Sequence, residues 1–123
     1  MALSKEEQLT QILKTLHTST PDIEGAAVIS MDGLIMASSL PAGIEEDRVS
    51  AMSAALYGIG STTAEELERG EVEQLYIKGR NGYLVITQSG TESVLGVMAN
   101  AKAKLGIIFL DVKRAAEEIA KVI

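Results

Sequence analysis

Ile23-Glu-Gly-Ala-Ala-Val-Ile-Ser-Met-Asp32-Gly33-Leu-Ile-Met-Ala-Ser-Ser-Leu-Pro41 is the stretch that decides the fold. Two apolar runs flank Asp32-Gly33. Their spacing predicts a β-hairpin closed by a two-residue type I′ turn, whose two central positions both need positive φ. Upstream, Ser4-Lys5-Glu6-Glu7 has the form of a capping box, and Leu9, Ile12, Leu13 and Leu16 recur at helical spacing until Thr18-Ser-Thr-Pro21 stops the helix. Downstream, Leu40 to Gly43 reads as a loop and Glu45 to Gly70 as one long helix. Glu45, Glu46 and Asp47 suit the positive end of that helix, and Gly70 is its expected cap. Val49, Met52, Leu56 and Ile59 make its apolar stripe, while Ser50, Ala51, Ser53, Ala54, Ala55, Gly58, Gly60 and Ser61 leave little bulk elsewhere.

Beyond Gly70, Val72–Lys78, Tyr83–Gln88 and Ser93–Met98 are short, β-branched or aromatic, and separated by Gly79-Arg-Asn-Gly82 and Ser89-Gly-Thr91. A parallel crossover needs a dozen or more residues, so these three strands form an antiparallel meander. Leu105, Ile108, Phe109, Val112, Ala116, Ile119 and Val122 then mark an amphipathic helix, with Lys113, Arg114, Glu117, Glu118 and Lys121 on its other side. The order α-β-β-α-β-β-β-α predicts an α+β sandwich, a five-stranded antiparallel sheet with helices on both faces.

The 123 residues fit one domain, 1–123, large enough to bury a core without disulfides or a structural metal. With no Cys and one His, thiol nucleophiles, Cys-based zinc sites and His-rich metal clusters are excluded. The net charge is −6, and a surface of that sign repels phosphate backbones, so nucleic acid is not an expected partner. Eight acids against Arg48 and Arg69 between Ile44 and Glu73 carry that whole excess. Lys5-Glu-Glu-Gln8 interrupts any apolar leader, and no apolar run approaches the ~20 residues of a membrane span. A soluble, cytoplasmic protein without membrane insertion is expected.

No residue set reaches a catalytic, cofactor or metal assignment. Gly58-Ile-Gly60-Ser-Thr-Thr63 lacks the Lys of a phosphate loop and the third Gly of a dinucleotide turn, and it sits inside a helix rather than after a strand. Close helix packing explains it better, because a mid-helix Gly costs about 0.5–1 kcal/mol against Ala and something must offset that. His17 suits the negative end of the first helix, and Asp32 is a turn residue. Asn100, Lys102 and Lys104 read as a solvated loop, and Met31, Met36, Met52 and Met98 as core. Among Tyr57, Tyr76 and Tyr83, Tyr76 is the favoured interface residue. A sheet edge carrying Gln74, Tyr76 and Lys78 is able to pair with a copy of itself.

Across nearly its whole length the chain resembles the Roadblock/dynein light chain domain family, in its prokaryotic, MglB-like branch. The resemblance rests on Ile23-Glu-Gly-Ala-Ala-Val-Ile-Ser with Asp32-Gly-Leu-Ile-Met-Ala-Ser38, on Ala51-Met-Ser-Ala-Ala55, on Ile77-Lys-Gly79 before Asn81-Gly-Tyr83, and on Leu105-Gly106. It implies a profilin/longin-like fold and a homodimer in which the long helix packs on its copy and the third strand extends the sheet across a two-fold axis. Ala51, Ala54, Ala55 and Gly58, with Gln74, Tyr76 and Lys78, are the dimer residues so implied. Arg48, Met52 and Tyr57 are the expected partner-binding residues. The implied partner is a Ras-like small GTPase that supplies its own catalytic residues, which accords with a chain that carries none. The alternatives are a structural scaffold or motor light chain without effect on any rate, and, more remotely, a small-molecule sensor or hydrolase using Gly58 to Thr63.

Overall fold

A computed structural model of the chain describes residues 2–123 and contains the eight elements in the expected order. Helix α1 is Lys5–Ser19, strand β1 Ile23–Ser30, strand β2 Ile35–Ser39 and helix α2 Glu46–Glu66. Strands β3 Leu75–Gly79, β4 Gly82–Gln88 and β5 Ser93–Asn100 precede helix α3, Leu105–Val122. The α1 capping box is present in full: the Glu7 amide donates to Ser4 Oγ at 3.1 Å and the Ser4 amide to Glu7 Oε1 at 3.2 Å.

Three local expectations are corrected. The β1–β2 turn is a three-residue loop, with the Gly33 amide donating to the Ser30 carbonyl at 2.9 Å and the Ser30 amide to the Leu34 carbonyl at 2.8 Å. Only Gly33 has positive φ, +86°, because Asp32 occupies a type I turn and the glycine after it takes the left-handed position, a cheaper arrangement than two such residues in succession. Helix α2 ends at Glu66, four residues before Gly70. Its terminus is a Schellman motif in which the Arg69 amide donates to the Ala64 carbonyl and the Glu68 amide to the Glu65 carbonyl. Glu68 holds the left-handed position at φ 56°, the one non-glycine with positive φ among the described residues. Strand β3, expected from Val72, starts at Leu75.

A left-handed non-glycine costs roughly 1–2 kcal/mol, and Gly gives back part of that in chain entropy. Glu68→Gly is therefore expected to stabilise the protein by about 0.5–1 kcal/mol and raise its melting temperature by about 2–4 °C, read by thermal unfolding.

The five strands form one antiparallel sheet in the order β2-β1-β5-β4-β3. Strands β3, β4 and β5 are the predicted meander, and the β1–β5 ladder joins it to the hairpin. One face carries α1 and α3, whose Leu9, Leu13, Leu16, Ile108, Val112 and Ile119 pack with Val28, Val85, Leu95 and Val97 in the larger core. The other face carries α2 over a smaller core of Ala27, Ile29, Tyr57, Ile86 and Val94. The alternation along each strand, such as Val94 to one core and Leu95 to the other, is the two-residue period expected of a sheet buried on both sides.

Candidate functional site

Helix α2 presents to the sheet the residues with the least bulk. Ser50 and Ser53 are buried, Ala54 is half-buried, and the Ser53 hydroxyl lies 3.5 Å from where a Cβ on Gly96 of β5 would stand. Further along, Gly60 rides over Leu75 of β3, with 3.3 Å between its would-be Cβ and the leucine Cδ2. Small residues on both sides let the helix axis approach the strands closely, which is the physical role of Gly60. Tyr57 fills the space between these contacts and donates from its hydroxyl to Gln88 Oε1 at 3.1 Å.

This orientation corrects the apolar stripe read from the sequence. Val49 and Leu56 lie at the sides of the helix, half-buried, whereas Met52 is 52% exposed and Ile59 66% exposed. Arg48, Met52, Ala55 and Ile59, spaced three and four apart, make the ridge that points away from the sheet. Gly58 is exposed, with nothing within 4 Å of its would-be Cβ, so no contact inside the protomer offsets its helical cost.

Beside that ridge the sheet is uncovered. Helix α2 lies chiefly over β1, β2 and β5, and reaches β4 and β3 only through Tyr57 and Gly60. The register Ile77↔Leu84 and Leu84↔Met98 sets a row of apolar side chains across β3, β4 and β5. A groove of about 340 Å³ runs between Leu84 and Met98 on the sheet and Ile44, Val49 and Met52 on the helix side, with Arg48 and Glu45 at its mouth. Ile77, at its outer end, is 47% exposed. A second groove of about 410 Å³ lies on the opposite face between the end of β4 and α3, lined by Thr87, Gln88, Lys113, Ala116, Glu117 and Ala120.

Strand β3 pairs with β4 on one side only, so its other edge is free. Tyr76 points to the α3 face, where its ring meets Phe109 edge-on with centroids 5.4 Å apart. Lys78 lies on the same face, its Nζ 5.9 Å from the Tyr83 ring centroid. The ends of the strand carry opposite charge, Glu71 and Glu73 before it and Lys78 and Arg80 after it. Asp111–Arg114, at 3.9 Å, is the one ion pair among the described residues, so these charges face solvent unpaired within the protomer.

The expected dimer residues thus fall into two groups. Ala51, Ala55 and Gly58 are exposed on α2, and Tyr76 and Lys78 are exposed on β3, all reachable by a second copy. Ala54 instead packs toward the β1–β2 turn, 3.8 Å from where a Cβ on Gly33 would stand, and Gln74 lies outside β3. Of the expected partner-binding residues, Arg48 and Met52 are on the outer ridge, while Tyr57, 9% exposed, belongs to the core under α2. Sequence reasoning missed Ile59, Ile77, Leu84 and Met98 as surface residues. For Ile77 the signal was present: Leu75 and Ile77 alternate with Tyr76, and a strand at a sheet edge has too little cover to bury both sets.

Gly58 to Thr63 lies within α2, where the Thr63 hydroxyl donates to the Ile59 carbonyl at 2.7 Å, so its amides serve the helix. His17 in the last turn of α1 contacts the Ile23 carbonyl through Nδ1. Asn100 donates to Asp22 Oδ1 at 3.1 Å and its own Oδ1 accepts the Lys102 amide, which organises the entry to α3. Among the described residues no three His, Asp or Glu side chains gather where they would hold a metal ion, and no helix is long and apolar enough to cross a membrane.

An uncharacterized protein of Methanocaldococcus jannaschii is 40% identical over 100 residues, 81% of this chain and 87% of that one. A second from the same organism is 34% identical over 114 residues, 93% of this chain and 95% of that one. Among solved structures, MglB of Myxococcus xanthus superposes with a TM-score of 0.88 at 18% identity, covering 99% of this chain and 92% of that one. The gliding protein MglB of Thermus thermophilus gives 0.85 at 19% identity, with 99% and 93% covered. Profilin II of Acanthamoeba castellanii gives 0.67 at 17% identity, with 92% and 97% covered, the same fold at greater distance. The model of the Roadblock/LC7 domain matches residues 9–99, and the chain belongs to that family.

Proposed function

We propose that the chain is a homodimeric, non-catalytic regulator that binds a Ras-like small GTPase in the cytoplasm and alters its GTP hydrolysis or nucleotide exchange. The observation that carries this reading is the free β3 edge lying beside an uncovered apolar surface on the α2 face. A second copy satisfies both at once. Antiparallel pairing of β3 with its copy extends the sheet, supplies partners to the edge amides and carbonyls, and brings Glu71 and Glu73 of one copy toward Lys78 and Arg80 of the other. The two α2 ridges then meet over the joined sheet, Ala51, Ala55 and Gly58 allowing close approach, and Arg48 remains at the rim for a partner. Such a contact is isologous, the commonest kind in soluble oligomers.

Family membership and the fold shared with MglB support the GTPase as the partner class. The test is GTP turnover by a Ras-like GTPase of the same organism, with and without an excess of this protein. Acceleration or faster nucleotide exchange is the expected result, together with tighter binding to one nucleotide state, since a ligand shifts an equilibrium only by its differential affinity. Equal binding to both states with no rate change would make the chain a scaffold. Absence of any complex would overturn the GTPase reading while leaving the dimer intact.

A further inference from the structure

We propose that the corner formed by the start of α3 and the β3–β4 turn docks peripherally on an anionic lipid surface, independently of the α2 face. Lys102 and Lys104 are exposed there beside Lys78 and Arg80, the latter two also lying toward Glu71 and Glu73 of the second copy in the proposed dimer. The pairing Gly82↔Asn100 brings the β3–β4 turn beside the loop that carries Lys102 and leads to Lys104, the N-cap of α3. Beside these cations the outer side of α3 exposes Ile107 and Leu110, at 52% and 59%. The first turn of α3 has no acidic residue and its cap makes no side-chain hydrogen bond, so the positive end of the helix dipole adds to the same field.

Two acids near this corner are engaged. Asp22 accepts from Asn100, and Asp111 accepts from the Thr20 hydroxyl and faces Arg114. Elsewhere on the face, the start of α1 lies beside the end of α3, so Glu6, Glu7, Glu117 and Glu118 sit toward the far end. The acids of α2 belong to the other face of the sheet, Glu45 being the nearest, in the groove that Tyr83 also lines. A chain with net charge −6 therefore presents one locally basic, aliphatic-centred patch to the outside.

The shape selects the occupant. The patch is the outer side of a helix beside a turn, and none of its six residues lines the 340 or 410 Å³ groove. A polypeptide ligand seats in a groove or adds to a strand edge, whereas a headgroup layer with shallow aliphatic insertion requires only a convex basic surface.

Each Lys or Arg near an anionic leaflet raises partitioning by about five-fold. Co-sedimentation of the full chain with vesicles of phosphatidylcholine mixed with about one-third phosphatidylglycerol is expected to show salt-sensitive binding, with little binding to phosphatidylcholine alone. The pair Lys102→Glu and Lys104→Glu is expected to weaken that binding by at least ten-fold. Ile107→Ser with Leu110→Ser should weaken it without changing its salt dependence, and unchanged thermal unfolding would certify both variants as folded. Equal binding to neutral vesicles, indifference to both variants, or capture by polyglutamate without any vesicle binding would each overturn the proposal.

Discussion

Gly82→Ala is expected to destabilise the protein by about 3 kcal/mol or more, a large part of the ~5–15 kcal/mol that holds a domain of this size together. Gly82 opens β4 at φ +149°, a region that side chains rarely adopt, and a Cβ there would lie 2.3 Å from the Ala99 carbonyl oxygen of β5. Backbone, not a movable side chain, blocks the atom. Relief requires parting β4 from β5 at the Gly82↔Asn100 pair, which also holds the entry to α3. Gly43→Ala is the matched control: φ is +88°, nothing lies within 4 Å of the new Cβ, and only the left-handed cost of about 1–2 kcal/mol applies. Chemical denaturation of the two variants measures the difference, and equal midpoints would mean that the clash is absorbed by a shift of the β3–β4 turn.

The double variant Met52→Glu with Ile59→Glu is expected to leave the fold intact and abolish self-association. Both side chains are more than half exposed in the protomer, so folding stability should move by no more than about 0.5 kcal/mol. In the proposed dimer the two ridges meet about a two-fold axis, and four carboxylates would be brought together and desolvated. Burying unpaired charge in an interface costs several kcal/mol, which corresponds to at least about a hundred-fold in Kd. Light scattering at micromolar concentration would then read the monomer mass, and any effect on GTP turnover should vanish with it. A variant that stays dimeric would move the interface away from α2. Lys78→Glu separates the strand contribution: it should weaken the dimer less, and Glu73→Lys added to it should restore part of the loss through the exchanged pair.

The helices packed on the larger core were readable because their sequences contain the answer. Leu9, Leu13 and Leu16 in α1, and Ile108, Val112 and Ile119 in α3, are bulky, evenly spaced, and opposed by charge, so one face alone is able to bury. The capping box at Ser4 and the tight turns between β3, β4 and β5 are likewise local chemistry, each settled within a few residues. So was the β1–β2 hairpin, although its turn type depended on whether one or two residues take positive φ.

Helix α2 shows where local pattern stops deciding. Its apolar residues surround the axis, and Met52 and Ile59 form as regular a stripe as any in the chain, yet it is Ser50, Ser53, Ala54 and Tyr57 that face the sheet. The choice follows from the strands underneath: Gly96 leaves room for Ser53, and Leu75 takes the space under Gly60, so the closest approach is made by the smallest side chains. Periodicity counts hydrophobicity and is blind to depth. The β1–β5 ladder is similar, since no turn connects those strands and only their shared burial between two helical layers brings them together. The order and type of the elements, and the faces that α1 and α3 bury, were thus written in local pattern. Which side of α2 is free, and which apolar side chains beside the β3 edge stay uncovered, emerged only on folding, because both depend on shape and neighbours contributed by distant parts of the chain.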